Sequence, residues 1–222
     1  MKRNSVHHCL VLGGLLVSSS LASCALESSD TAQISVKLYQ SVIGHGTKVA
    51  HNAAAAVPFA TIGVEAGSSD QAMLVLGTNN FGYLAFYGAN HIMIMTNHGR
   101  IVATAGLPYN LNRLQISSNG MLQHGGLSAD THYQLSYDFG DLGLYSLTAN
   151  CTTSDAGPEA IEILGTQIRT RHIVEDCNMS SIGWVFENEY WTDADSGYVW
   201  RSVQSPHPKL PALKIEVMRP EQ

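Results

Sequence analysis

From about residue 72 onward the chain is built of short apolar runs, some alternating and some apolar on both sides. Gly, Asn, Asp, Ser or Pro interrupt them every few residues. That punctuation belongs to β-strands joined by turns. The clearest unit lies between Trp184 and Val203. Two runs rich in aromatic and β-branched residues, Trp184 to Trp191 and Tyr198 to Val203, flank Thr192-Asp193-Ala194-Asp195-Ser196-Gly197. This predicts a β-hairpin with a four- or five-residue loop, in which Gly197 supplies the positive φ. Pairing Thr192 with Tyr198 would set Tyr190 opposite a buried Trp200, and Glu189 opposite Arg201. Period two places Trp184, Phe186 and Tyr190 on one face and Glu187 and Glu189 on the other. Tyr190, Trp191, Gly197 and Trp200 are thus the structural residues of a hairpin with one face to bury.

The same reading predicts strands over Ala72–Leu76, Gly82–Tyr87, His91–Thr96 and Ile101–Thr104, with His98-Gly99 as a two-residue turn. Between Gln71 and Gly99 there is no Asp, Glu, Lys or Arg, but Thr78-Asn79-Asn80 and Gly88-Ala89-Asn90 cut the run too short to cross a membrane as a helix. In His91–Thr96 both Ile92/Ile94 and Met93/Met95 are apolar, as in a strand covered on both sides or in the wall of a barrel. Further strands are predicted over 113–117, 132–138, 143–150, 159–175, 182–191, 198–204 and 213–218. Turns fall at Asp138–Asp141 and Ser154–Pro158, and an exposed connection carries Pro206, Pro208 and Pro211. Before the strands, Ile34, Leu38 and Val42 recur at helical spacing, with Asp30 as N-cap and Gly44 as stop. Ala53–Ala56 adds one more helical turn. The fold class is all-β: a mostly antiparallel, curved sheet, forming an open or half-closed barrel or a sandwich, with a short N-terminal helix.

Composition narrows the function. Charged residues are only 14% of the 222, and the net charge is −6, so no basic surface exists to neutralise the phosphates of a nucleic acid. Lys2 and Arg3, the apolar stretch Leu10–Leu16 and the small residues of Ser18–Ser23 form a secretory signal over residues 1–23. It ends in Leu21-Ala22-Ser23-Cys24, which matches the lipobox in which cysteine is acylated and becomes the mature N-terminus. Residues 24–33 then form a lipid-anchored tether, and 34–222 a single periplasmic domain. Ala25, where Asp would retain the protein in the inner membrane, points to the outer membrane. Loss of Lys2 and Arg3 takes the net charge from −6 to −8. Cys9 is discarded and Cys24 acylated, which leaves Cys151 and Cys177 to pair in an oxidising compartment.

Candidate chemistry is sparse. Glu187 and Glu189 share a strand face, and two carboxylates at a suitable separation hydrolyse glycosidic bonds. Asp193-x-Asp195-x-Gly197 opens like a calcium loop but lacks the closing glutamate. The histidines outside the signal form no close ligand pair, and no nucleophile elbow, phosphate loop or cofactor motif is present. No metal or cofactor is therefore expected. Ahead of a hydrolase stands a binding module in which Met73, Phe86, Met93 and Met95 line an apolar surface for a lipid or acyl ligand.

Thr96-Asn97-His98-Gly99-Arg100-Ile101-Val102-Ala103-Thr104-Ala105-Gly106-Leu107-Pro108, followed by Asn110-Leu111, resembles the central motif of the YjbF/GfcB family of Gram-negative lipoproteins. Ala56-Val57-Pro58-Phe59-Ala60 is similar to that family's Leu-Pro-Tyr-Ala segment, and Tyr190–Asp193 with Ser196–Val199 to its C-terminal hairpin. The cysteine pair and residues 119–157 depart from the family pattern. The resemblance implies a non-enzymatic outer-membrane lipoprotein in exopolysaccharide or capsule secretion. Its implied partners are an outer-membrane β-barrel protein and a soluble periplasmic protein.

Overall fold

A computed structural model describes residues 48–117, 127 and 130–221. The signal peptide, Cys24, the tether and the helix predicted over Ile34–Ile43 lie outside the described residues, as does most of 118–129. Among the described residues, one short α-helix, α1 (His51–Ala56), precedes twelve strands. They are β1 (Thr61–Ala66), β2 (Ala72–Asn80), β3 (Tyr83–Tyr87), β4 (Met93–Asn97), β5 (Arg100–Ala105) and β6 (Arg113–Ser117). Then follow β7 (His132–Phe139), β8 (Leu144–Ile163), β9 (Thr166–Met179), β10 (Trp184–Asp193), β11 (Val199–Gln204) and β12 (Leu213–Arg219). All pairs are antiparallel, in one sheet of order β5-β4-β3-β2-β1-β12-β11-β10-β9-β8-β7-β6. Every pair except β1–β12 joins strands consecutive in sequence. The two edge strands approach each other, with Thr104 N donating to Leu111 O at 2.8 Å. The sheet is therefore an up-and-down barrel, nearly closed, with its seam between β5 and β6.

The structure departs from the sequence expectations at five places. β1 was not foreseen. The run 159–175 is not one strand: Leu164 and Gly165, both at positive φ (50° and 80°), turn β8 into β9. Ser154–Pro158 does not end a strand but forms a bulge within β8, where Gly157 N is held by Asp155 Oδ1 at 2.8 Å. The proline-rich connection is only partly exposed, since Pro206 and His207 are buried. The β10–β11 hairpin forms, with Gly197 at φ 72°, but its register differs. Trp200 occupies a bulge, so Thr192 pairs with Val199, Tyr190 with Ser202 and Glu189 with Val203. Tyr190 therefore does not face Trp200, and Trp200 is half-buried on a different cluster.

The interior is layered along β10. Near its start, Trp184 and Phe186 pack with Tyr137 and Phe139, mostly edge to face at 5.9–6.2 Å between ring centres. Asn188 and Tyr190 then face a buried polar layer, and beyond them, near Asp193, the barrel is hollow. The β4–β5 turn is seated in the interior wall. Gly99 lies at φ 78°, and a Cβ there would sit 2.4 Å from the Val199 side chain. Gly99→Ala combines a left-handed backbone with overpacking, so it is expected to cost about 2–4 kcal/mol in urea denaturation. A loss below about 1 kcal/mol would mean that this turn is not seated as described.

Candidate functional site

Arg100 and Glu175 form the centre of the polar layer, exposed by only 1% and 0%. Arg100 Nη1 donates to Glu175 Oε2 at 2.9 Å and Nη2 to Oε1 at 2.7 Å, a bidentate pair. Tyr133 OH also donates to Glu175, and Asn188 Nδ2 donates to its Oε2 at 2.6 Å. Tyr190 OH bridges Glu175 and Gln204 at 3.4 and 3.3 Å. Gln204 in turn accepts from Ile101 N at 2.9 Å and donates to Gly99 O at 2.8 Å. Burial alone would push the Arg100 guanidinium down, but the Glu175 carboxylate beside it reverses this and the net direction is up. Burial drives the Tyr190 phenol well above its usual range, so it remains a proton donor. The network thus ties the β4–β5 hairpin to β9, β10 and β11. Sequence reasoning missed both charges. The available signal was parity: Glu175 alternates with Ile173 and Cys177 on the inward face.

Beside this layer the chain leaves a cavity of about 710 Å³, open at the end ringed by the β2–β3, β4–β5 and β10–β11 turns and by Pro220-Glu221. Ile62, Phe86 and Ile215 form its apolar floor, and Thr96, His98 and Tyr198 are among the polar side chains of its wall. Burial, with the nearby Glu221 charge, pushes the Tyr198 phenol up to about 12. At the mouth, Asp193 accepts from Ser196 N at 2.8 Å and Asp195 N at 3.2 Å, which holds its carboxyl below the usual range.

The other predicted site residues fall elsewhere. Phe86 faces the cavity, but the pairings of Met95 with Ala85 and Met93 with Tyr87 put those methionines on the opposite face, as does that of Met73 with Gly63. The four therefore do not line one surface. Glu187 is exposed on the outer face, and Glu189 there binds His172 at 2.8 Å. His172 stacks on Trp191 at 4.4 Å. Trp191 belongs to an outer cluster in which the β8–β9 hairpin, through Ile161 and Ile163, covers β10 and β11. Cys151 and Cys177 are bonded as direct cross-strand neighbours of β8 and β9, with Cα atoms 4.2 Å apart. The proximity of Glu175 to these sulfurs forms no metal site, because a disulfide has no thiolate to offer.

His207 is fully buried between Tyr109, stacked at 5.3 Å, and Phe139, edge-on at 4.8 Å. Its Nδ1 accepts from Lys209 N, and Nε2 lies 3.4 Å from Asp141. Burial lowers its pKa against the opposing pull of Asp141. The unfolded state therefore binds this proton more readily, so the contribution to stability is complete above about pH 6.5 and is lost as pH falls through the folded pKa. His207→Gln is expected to flatten the acid-side slope of stability against pH below about 6.5. An unchanged slope would assign that loss to other groups.

The fold and the cavity together define a single-sheet antiparallel β-barrel with a buried polar layer and a hollow, solvent-open end. Residues 21–218 match the family described as group 4 capsule polysaccharide lipoprotein GfcB, YjbF, and the chain belongs to that family. The crystal structure of the hypothetical lipoprotein YmcC from Escherichia coli (K12) has the same fold, with a TM-score of 0.68 at 20% identity. The superposition covers 88% of this chain and 97% of YmcC. Curated proteins gave no match.

Proposed function

We propose that this chain is an outer-membrane lipoprotein, anchored through acylated Cys24 and facing the periplasm, that acts as a non-enzymatic accessory factor in capsule or exopolysaccharide secretion. The observation that carries the reading is the family match across residues 21–218. The lipobox Leu21–Cys24 supports the anchor, and removal of residues 1–23 leaves Cys24 as the mature N-terminus. Its partners are an outer-membrane β-barrel protein and a soluble periplasmic protein of the same secretion machinery. The site geometry fits a scaffold better than a glycan hydrolase: Glu187 and Glu189 stand on the outer face, away from the cavity, and Glu189 is occupied by His172.

The test is a deletion strain complemented with variants. Wild type should restore polymer secretion, and Cys24→Ser should lose palmitate labelling, fractionate away from the outer membrane and fail to complement. Glu187→Gln and Glu189→Gln, which alter charge with little change of volume, should each shift stability by under about 0.5 kcal/mol and still complement. Unaltered secretion in the deletion strain would sink the reading. A folded glutamate variant without secretion would bring the hydrolase forward.

A further inference from the structure

The family description names no role for the hollow end of the barrel. Its volume of about 710 Å³ lies within the range of small-ligand sites, so a molecule rather than a solitary water fits there. The wall has two characters. Ile62, Phe86 and Ile215 offer apolar contact, planar at the Phe86 ring, while Thr96, His98 and Tyr198 bring polar groups to its side. A sugar ring needs both kinds, because its faces are C–H surfaces and its edge is hydroxyl. The charges discriminate further. Asp193 and Glu221 stand at the mouth. Arg201, the one Lys or Arg among the lining residues, is taken by Glu216 at 2.7 Å and by Glu162 O at 2.8 Å. An anionic head group, whether of a fatty acid or a phospholipid, would meet carboxylates with no free Lys or Arg among the described lining residues.

The lip supplies the second observation. Phe81 and Gly82 form the two-residue turn between β2 and β3, at φ 51° and 84°, and Gly82 lines the cavity. Asn is the low-cost residue at the first position of such a turn, and a bulky aromatic there is an outlier. Phe81 is 98% exposed, so the barrel gains no packing from it. A backbone outlier with no structural return, beside a cavity mouth, points to a role in binding.

We propose that this cavity binds a short, uncharged stretch of saccharide chain, with Phe81 as an aromatic lip that closes over a sugar ring. The proposal rests on the secretion reading above and specifies the ligand class of that protein. It is tested on the mature lipoprotein in nanodiscs, titrated with uncharged oligosaccharides from partial acid hydrolysis of the host's secreted polymer and, separately, with palmitate. Tryptophan fluorescence, to which Trp200 in the cavity wall contributes, and saturation-transfer NMR read the binding. The oligosaccharides should bind saturably and palmitate should not. Phe81→Asn should weaken binding about three- to tenfold, the scale of one aromatic contact, with an unfolding midpoint equal to or above wild type because Asn suits the turn. Tyr198→Phe, which removes only a hydroxyl, should also weaken binding. Binding of palmitate alone, no binding of oligosaccharide, or an unaffected Phe81→Asn would each overturn the proposal. If the deletion strain loses secretion but no oligosaccharide binds, only this proposal falls. If secretion is normal without the protein, the secretion reading falls whatever the titration gives.

Discussion

Glu175→Gln is expected to lower the unfolding free energy by about 3–5 kcal/mol, because it leaves the Arg100 guanidinium charged in a dry interior. Arg100 cannot escape by losing its proton, and its Nε already lacks a partner. The urea midpoint should fall with little change in slope. The double change Arg100→Met with Glu175→Leu removes both charges and should cost much less than the sum of the single changes. The coupling in this cycle separates the cost of an orphaned charge from the worth of the pair. A cost for Glu175→Gln below about 1 kcal/mol, or additive single and double costs, would show that water reaches the pair. The consequence extends to the cavity. Arg100 follows His98 and Gly99 in the chain, and both of those line the hollow end. Loss of the Glu175 anchor should therefore loosen that wall and weaken ligand binding even in molecules that remain folded.

Much of the sheet was legible because period-two patterning and turn residues are local signals. Arg113–Ser117 was read to the residue, and the His98-Gly99 turn forms with both residues at positive φ (48° and 78°). The misses share a cause, which is that tertiary packing overrode a local preference. Leu164 is not a turn residue, yet it turns β8 into β9 because Ile161 and Ile163 on one side and Ile168 on the other pack against the Trp191 cluster. Asp155-Ala156-Gly157-Pro158 has turn composition, yet its strand continues because β9 pairs along both sides of the bulge. The bulge at Trp200 shifted the hairpin register and so misplaced two cross-strand pairs. At the candidate site, Phe86 was named among apolar ligand residues and does line the cavity. The methionines beside it were misassigned because an apolar strand with two covered faces gives no sign of which face turns inward. Arg100 and Glu175 lie 75 residues apart in sequence, and no local pattern links them.

Removal of the disulfide is the second large effect. Cys151 and Cys177 are separated by 26 positions, so in the chain-entropy account the bond stabilises by about 3.5 kcal/mol through the unfolded state. Both residues are buried in the main apolar cluster, with the Glu175 carboxylate nearby, and Cys151→Ala with Cys177→Ala removes the bond without burying a new polar group. For a domain of this size, a loss of about 3.5 kcal/mol corresponds to a fall in Tm of roughly 7–14 °C. The native fold itself should persist, because the β8–β9 ladder pairs on both sides of the cysteines and does not depend on the sulfurs for its register. Reduction of the wild type under mild denaturant should reproduce the same loss of stability, while leaving the double alanine variant unaffected. Equal Tm values for oxidised and reduced wild type would refute the account. Because Thr153 and Glu175 form the next inward cross-strand pair along the ladder, the bond also restrains the strand that carries the partner of Arg100. The double alanine variant should then show a smaller penalty for Glu175→Gln than the oxidised protein does, since its β9 can relax to admit water to the stranded guanidinium.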